Sequence, residues 1–173
     1  MAVAELLNVE ALALQADGVD IVQFDEPAFN VYMDEVGSWG ITALERAARG
    51  LTCTTAVHIC FGYAALIHAR PSGYSFLPEL AQCSCRQVSI ETAQSQLDCS
   101  VLRSLDGKQV MVGCIDLADP QVESAQTVVQ RIERALPFIK PEQVILAPDC
   151  GMKYLPRDTA VGKLRAMVEA ARI

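Results

Sequence analysis

The sequence lacks the features of a nucleic-acid or membrane protein. It has 14 Lys and Arg against 21 Asp and Glu, which gives a net charge of −7 over 173 residues. Nucleic-acid binding needs clustered basic residues that displace phosphate counterions, so this acidic balance argues against it. No apolar run approaches the roughly 20 residues that span a bilayer. The N-terminal MAVAELLNVEALAL has no basic region and contains Glu5 and Glu10, unlike a signal peptide. We therefore expect a cytoplasmic protein without a membrane or nucleic-acid partner.

The common nucleotide-binding motifs are also missing. There is no GxGxxG, no Walker A loop and no internal repeat. What is abundant is apolar sequence, at 51% of residues against 20% charged. That proportion supports a sizeable buried core and excludes intrinsic disorder. A chain of this length suits one domain, because domains average roughly 150 residues.

Cysteine is the second abundant feature. An odd number cannot pair completely within one chain, and a reducing cytosol keeps thiols free to fill the core, bind metal or act as nucleophiles. Cys83 and Cys85 lack the CxxC spacing of a redox pair, so we interpret them as core or surface thiols. The seven cysteines are Cys53, Cys60, Cys83, Cys85, Cys99, Cys114 and Cys150.

Short runs rich in Val and Ile alternate with longer segments of helical spacing. The alternation predicts a parallel sheet covered by helices, either an open doubly wound sheet or a (β/α) barrel. The segment Phe61–Tyr74, with Gly62, Pro71 and Gly73, predicts a functional loop or a surface insertion. The predicted strands are Val19–Phe24, Thr54–Ile59, Gln87–Ile90, Val110–Ile115 and Val144–Ala147.

Helices are predicted between the strands. Ile41–Ala48, Leu77–Gln82 and Asp158–Ala171 have helical spacing, the last with Val161, Leu164 and Val168 facing inward. A further helix is predicted to begin at Asp119-Pro120, an N-cap acceptor followed by Pro at the first helical position. Its apolar stripe consists of Val122, Ala125, Val129, Ile132 and Leu136.

Each predicted strand ends in a carboxylate, an imidazole or a thiol. Catalytic groups of parallel α/β barrels come from the C-terminal ends of several strands, which meet at one rim. A single Asp there would mean little, since Asp often caps the following helix. Because all five predicted strands end in such groups, we expect the rim to be functional. The residues are Asp25 and Glu26, His58 and Cys60, Glu91, Asp116, and Asp149 and Cys150.

Four of these rim residues form a plausible zinc-binding set. His58 and Cys60 are two positions apart at a strand end, so their side chains share a face. With Glu91 and Cys150 they offer nitrogen, oxygen and two sulfur donors, all of which zinc accepts in tetrahedral geometry. The alternative is structural, with a hydrogen-bonded core His, buried Cys residues and a Glu that caps a helix. The spacing alone leaves both open.

The motifs IVQFDEPAF, HICFGY, VSIETAQS and LAPDCGMKYLP resemble, in the same order, those of the C-terminal catalytic domain of cobalamin-independent methionine synthase. The resemblance implies that residues 1–173 are one partial domain, the C-terminal portion of a (β/α)8 barrel with about five parallel strands. It also implies methyl transfer to the thiol of homocysteine. His58, Cys60, Glu91 and Cys150 would hold the catalytic zinc, and Asp25 would bind the amino group of homocysteine.

Two departures from the family pattern qualify this interpretation. The folate-dependent enzymes have Asp-x-His after the fourth strand, with His as the proton donor to the departing folate, whereas this chain has Asp116-Leu117-Ala118. The methyl donor is therefore either methyltetrahydrofolate or methylcobalamin. The chain is also about half a barrel, so we expect an N-terminal half-barrel or self-association.

Three other functions stay open at this point. One is a corrinoid-linked methyltransferase that acts on another thiol. A second is a half-barrel that binds metal and is catalytically incomplete alone. The third is a decarboxylase of the related barrel fold, which is the weakest of the three because it has no use for the HxC and DCG thiols. The sequence assigns no role to His68, which we expect to be solvated.

Overall fold

The computed structural model describes residues 1–61 and 74–173. Within them the strands form one sheet in the order β1-β2-β3-β4-β5, and every neighbouring pair is parallel. The predicted parallel α/β arrangement is confirmed. The strands are β1 (Ile21–Asp25), β2 (Thr54–Ile59), β3 (Gln87–Glu91), β4 (Gln109–Ile115) and β5 (Val144–Pro148).

The strand bounds follow the Val- and Ile-rich runs closely. β2 has the predicted bounds, while β3, β4 and β5 each extend one residue beyond them. β1 begins at Ile21 rather than at Val19, because Gly18 adopts a φ of 91° and turns the chain between the first helix and the strand.

Helices connect the strands, as the alternation predicted. The helix over Ile41–Ala48 has its predicted bounds, and the one from Leu77 ends at Leu80 rather than at Gln82. The N-terminal segment, considered above only as a signal peptide, forms a helix. The helices are α1 (Ala2–Ala16), α2 (Ala28–Val31), α3 (Ile41–Ala48), α4 (Leu77–Leu80), α5 (Ala125–Glu133) and α6 (Arg157–Ala170), with 3-10 turns at Met33–Glu35, Cys99–Leu105 and Pro141–Gln143 and a π turn at Val36–Gly40.

The predicted start of α5 at Asp119-Pro120 is wrong. The Asp119 carboxylate accepts the backbone N–H of Gln121 and closes a local turn instead. The helix begins after Ser124, whose hydroxyl oxygen accepts the N–H of Thr127. The predicted stripe is also only partly inward: Val129 and Ile132 are half-buried, whereas Val122 and Leu136, at its two ends, are exposed. The fully buried residue of this helix is Val128, which the predicted stripe did not include.

The predicted inward face of α6 is wrong as well. Leu164 and Val168 are exposed, and the buried positions are Lys163, Ala166 and Ala170. Lys163 is fully buried because its amine donates to a carboxylate oxygen of Glu123 and to a backbone carbonyl at the end of β4. Apolar periodicity does not detect a helix whose buried face carries a charge.

The core lies mainly under the three inner strands. All residues of β3 are buried, whereas β5 is half-buried along its length and three residues of the other edge strand, β1, are exposed. The larger cluster of apolar side chains packs on β2, β3 and β4, and a smaller one joins α5 and α6 to the end of β4. The loop predicted over Phe61–Tyr74, with His68, falls largely outside the described residues. Among the residues described, no helix is both long and apolar enough to cross a membrane.

Candidate functional site

The parallel register brings the ends of the strands to one edge of the sheet. Asp25 lies opposite His58, and Glu91 lies opposite Gly113. Alternate residues of a strand share a face, so the side chains at these positions point to the side of the sheet that would be the interior of a barrel. Cys60 directly follows β2, and Cys150 lies two positions after the last residue of β5.

The four predicted zinc-binding side chains come together at this edge. The potential ligand atoms of His58, Cys60, Glu91 and Cys150 all lie within 4.8 Å of one another. The sulfur atoms of the two cysteines are 3.5 Å apart. Three of the four residues are buried and Cys150 is half-buried. None of the seven cysteines, all of them described, forms a disulfide.

The two ring nitrogens of His58 differ in their surroundings. Its Nδ1 lies at hydrogen-bond distance, 2.8 Å, from the Ser89 hydroxyl on the neighbouring strand. Its Nε2 is buried and has no hydrogen-bond partner among the described residues. An unpartnered buried nitrogen costs free energy, whereas a metal-binding His typically bonds one nitrogen to the metal and the other to a nearby acceptor. The surroundings of His58 thus fit a cation in the cluster.

Glu91 is a buried acid in unfavourable surroundings. Burial raises its pKa to about 8, and nearby Asp149 and Cys60 add to the increase, although the N–H of Phe61 donates to its carboxylate and lowers it. The adjacent Cys60 thiol and burial likewise raise the pKa of Cys150. The surroundings thus disfavour the charged forms of both the Glu91 carboxyl and the Cys150 thiol, and a bound cation would favour them.

Tyr74, which the sequence did not place at the site, and Asp149, which it placed only among the rim residues, connect the strand ends at this edge. The Tyr74 hydroxyl accepts the backbone N–H of Glu91 and donates to the carbonyl of Ile59, and its ring stacks on Phe61 at 4.8 Å. Asp149 is fully buried and accepts three backbone N–H groups of the turn after β3. Asp149 has one sequence signal, its place between β5 and Cys150, but its partners are more than 50 residues away along the chain.

The other residues singled out from the sequence lie outside the four-residue cluster. Asp25 is exposed and accepts a hydrogen bond from Gln23 at 3.0 Å, outside the four-residue cluster. Ala118 is exposed in the loop after β4, where its N–H donates to the Asp116 carboxylate. Cys83 and Cys85 are buried just before β3 begins, at the opposite end of the sheet from the cluster.

An open cavity of about 660 Å³ borders β1 on the side of α1 and α3. Asp25 and Glu26 form part of its wall, and burial raises the pKa of Glu26 despite a backbone hydrogen bond from Ala28. The exposed Trp39 closes another part of it. The cavity is therefore mixed, with acidic groups at the strand end and apolar groups along the helices.

The model of the family described as the cobalamin-independent synthase catalytic domain matches residues 1–173. The chain belongs to this family. Its relatives include a protein from Pyrococcus abyssi that is named methionine synthase. The two sequences are 32% identical over 175 residues, which cover 100% of this chain and 48% of that protein. The relative from Pyrococcus furiosus is also 32% identical, over 99% of this chain and 48% of its own length.

The structural neighbours include the B12-independent methionine synthase from Shewanella sp. W3-18-1, solved in complex with selenomethionine. It is 41% identical to this synthase-family chain, with a TM-score of 0.90 over 98% of this chain and 52% of that one. A putative enzyme from Listeria monocytogenes shares the fold alone, with a TM-score of 0.74 and 16% identity. The five-stranded sheet is thus part of a TIM-type barrel, and the chain spans about half the length of the curated relatives it matches.

Proposed function

We propose that residues 1–173 form a single partial barrel domain that carries the zinc site of a methyltransferase, and that the completed barrel methylates the thiol of homocysteine to form methionine. The observation that supports this most directly is the convergence of four ligand atoms within 4.8 Å, contributed by His58, Cys60, Glu91 and Cys150. Membership of the synthase family supports the reaction. We expect it to run in the cytoplasm, where thiols stay reduced.

The donor set favours zinc over harder cations. Calcium and magnesium prefer oxygen ligands, whereas two thiolates, an imidazole and a carboxylate suit zinc. His58 would bind through Nε2 and donate its Nδ1 proton to Ser89. When bound, zinc lowers the pKa of a coordinating thiol, so that homocysteine reacts as a thiolate without a general base.

The reaction needs the acceptor held in one orientation. The Asp25 carboxylate, one strand away from His58 and exposed to the open side of the sheet, would bind the ammonium group of homocysteine. A new bond then forms between the homocysteine sulfur and the methyl carbon, while the bond between that carbon and its donor breaks and leaves its electron pair on the donor. Alignment of sulfur, methyl carbon and donor supplies much of the rate.

Ala118 bears on the choice of methyl donor. A departing folate nitrogen needs a proton, which an alanine side chain cannot supply, whereas methylcobalamin leaves without one. We therefore propose methylcobalamin ahead of methyltetrahydrofolate for this chain, although its family is described as cobalamin-independent. Ala118 bears on the donor only, so homocysteine, supported by the relatives named methionine synthase, stays the proposed acceptor. The alternative function is a corrinoid-linked methyltransferase that acts on another thiol. Comparing homocysteine with other thiols, and both donors, in a completed barrel separates the two functions.

The open edges of the sheet support a proposal for the partner. Among the described strands, β1 and β5 each pair on one side only, and a TIM-type barrel has eight strands. Leu6 on α1 is 71% exposed, and Val168 on α6 is 50% exposed, so apolar helix faces flank both open edges. We propose that a complementary N-terminal half-barrel, equivalent to the part of the relatives that this chain does not span, covers both edges with three further parallel strands.

The number of strands argues against a second copy of this chain as the partner that closes the barrel. Two copies joined head to tail would place ten strands in the ring, more than the fold accommodates. Two copies related by a two-fold axis would pair equal edges antiparallel and leave the other edges open. Light scattering of the chain with and without the separately expressed N-terminal half of a relative should show a 1:1 complex. A stable homodimer that ignores the added half would contradict this proposal.

The metal proposal is tested by zinc content. The chain purified under reducing conditions should contain about one zinc, and Cys60→Ser/Cys150→Ser should contain almost none, because a hydroxyl is a poor zinc ligand. Cys53→Ser, a half-buried thiol outside the cluster, is the matched control and should retain zinc. Equal zinc in the wild type and the double variant would refute the assignment.

The donor proposal has its own test. In the completed barrel, Ala118→His should raise turnover with methyltetrahydrofolate by about 100-fold or more, the usual contribution of a positioned general acid, and leave turnover with methylcobalamin unchanged. Folate-dependent turnover by the wild type equal to that of the variant would show that another residue supplies the proton.

A further inference from the structure

Two of the proposed zinc ligands lie on strands that are not neighbours. Glu91 ends β3 and Cys150 follows β5, with β4 between them. Adjacent strands are about 4.8 Å apart, so two strand spacings separate these backbones by about 10 Å. Their ligand atoms nevertheless lie within 4.8 Å of one another. Something must fix the two strand ends relative to each other across β4.

The Asp149 side chain spans this gap. One carboxylate oxygen accepts the N–H groups of Thr92 at 3.2 Å and Ala93 at 3.1 Å, and the other accepts the N–H of Gln94 at 2.6 Å. These three residues directly follow Glu91, and Asp149 directly precedes Cys150. Since Asp149 is fully buried, water does not compete for these bonds.

Gly113 on β4 provides the space for this crossing. A Cβ atom there would lie 2.2 Å from a carboxylate oxygen of Asp149 and 2.9 Å from its Cα, far inside van der Waals contact. Gly113 is not among the residues of positive φ, so its backbone conformation does not require glycine. The Thr92 hydroxyl also donates to the Gly113 carbonyl at 2.7 Å, which ties the turn after β3 to β4 at the same point.

We propose that Asp149 is a positioning residue of the metal site, which fixes Glu91 and Cys150 relative to each other by crossing β4, and that Gly113 is glycine to let its side chain pass. The inference rests on the proposed function, since it concerns the geometry of the zinc ligands. Asp149 itself lies outside the four-residue ligand cluster. It acts through the backbone on either side of the two ligands.

The test is metal binding by Asp149→Asn in the 173-residue chain. Asparagine keeps the size of the side chain, but its amide nitrogen cannot accept an N–H, so at least one of the three bonds is lost. We expect zinc affinity, measured by competition with a chromophoric chelator, to fall about 10- to 100-fold, the usual cost of losing a residue that orients metal ligands. The visible absorption of bound Co²⁺ should change at the same time, because it reports ligand geometry.

Two controls separate positioning from a general loss of folding. Asp98→Asn removes an exposed carboxylate that caps a remote 3-10 turn, and it should leave zinc affinity and the Co²⁺ spectrum unchanged. Gly113→Ala should act like Asp149→Asn, whereas Gly37→Ala, where an added Cβ meets only an ordinary contact, should not. Should Gly113→Ala fail to fold, Asp149→Asn still decides the question.

The outcomes are distinct. If Asp149→Asn lowers the melting temperature of the metal-free chain but keeps the wild-type zinc affinity and Co²⁺ spectrum, Asp149 is only structural and the inference is overturned. If the wild type binds neither Zn²⁺ nor Co²⁺, the proposed function fails and the inference fails with it. Reduced affinity with an altered spectrum in Asp149→Asn, beside an unchanged Asp98→Asn, supports both.

Discussion

Glu91 and Glu123 are both buried carboxylic acids, yet their surroundings shift their pKa values in opposite directions. Burial raises the pKa of Glu91 to about 8, among thiols and a second carboxylate. Burial acts on Glu123 in the same sense, but hydrogen bonds from Lys163 and Arg131 outweigh it and lower the pKa. The side chain of Lys163 is 0% exposed and that of Glu123 is 5% exposed.

The comparison distinguishes a complete charge cluster from an incomplete one. Glu123, Lys163 and Arg131 contain an anion and two cations within hydrogen-bond distance, so this region is electrostatically satisfied by the chain's own residues. Within the part of the chain that the structure describes, no such ion pair forms at Glu91. A buried acidic cluster with no cation among its described neighbours is suited to receive one from solution.

Breaking the cluster of Glu123, Lys163 and Arg131 should have the largest effect on stability. Lys163→Met removes a fully buried cation and leaves the Glu123 carboxylate underpaired, so we expect the free energy of unfolding to fall by about 3–5 kcal/mol. Urea denaturation measures this change. Lys140→Met, an exposed lysine outside the cluster, should change stability by less than about 0.5 kcal/mol. Equal losses in both variants would contradict the role given to Lys163.

Zinc binding to the cluster of His58, Cys60, Glu91 and Cys150 should stabilise the chain. Free Zn²⁺ at about 100 times its dissociation constant should raise the free energy of unfolding by about 2.7 kcal/mol, because zinc binds the folded state. Urea denaturation with zinc and with excess chelator measures the difference. Cys150→Ser should lose most of this gain, and Cys53→Ser should keep it. A gain of the same size in Cys150→Ser would place the metal elsewhere.

Arg131→Met tests the less buried cation of the complete cluster. The guanidinium donates to Glu123 and to the carbonyl of Cys114, both at 2.9 Å, and its side chain is 20% exposed. We expect a loss of about 1–2 kcal/mol in urea denaturation, less than for Lys163→Met, because water reaches the site and Lys163 still pairs with the acid. A loss larger than that of Lys163→Met would reverse the order of the two cations.

The smallest signal is a pH dependence. The folded pKa of Glu123 is lowered, so its stabilising contribution is present above its unfolded pKa of about 4.3 and is lost as the pH falls through the folded value. The stability gap between the wild type and Glu123→Gln should therefore be largest near neutral pH and should narrow below about pH 4. Glu142→Gln, an exposed acid outside the cluster, should show no such narrowing. If the stability gap widened at low pH instead, folding would raise the pKa of Glu123 rather than lower it.

The sequence by itself determined the sheet and which four residues meet in the candidate metal cluster. Buried parallel strands must be continuous apolar runs, so β2 had its predicted bounds and three other strands differed by one residue. Parallel strands also bring their C-terminal ends to one rim. His58, Cys60, Glu91 and Cys150 could therefore be proposed as neighbours, although Cys60 and Cys150 alone are 90 residues apart in sequence.

Only the tertiary structure decided which polar side chains are buried and what they bind. Lys163 faces inward on α6 because Glu123, 40 residues earlier, meets its amine, and apolar periodicity carries no trace of that pairing. Asp149 reaches the N–H of Gln94, 55 residues earlier, across a strand that has glycine at the crossing point. Such contacts depend on which distant groups the fold brings within about 3 Å, because a buried polar atom is stable only where its partner lies.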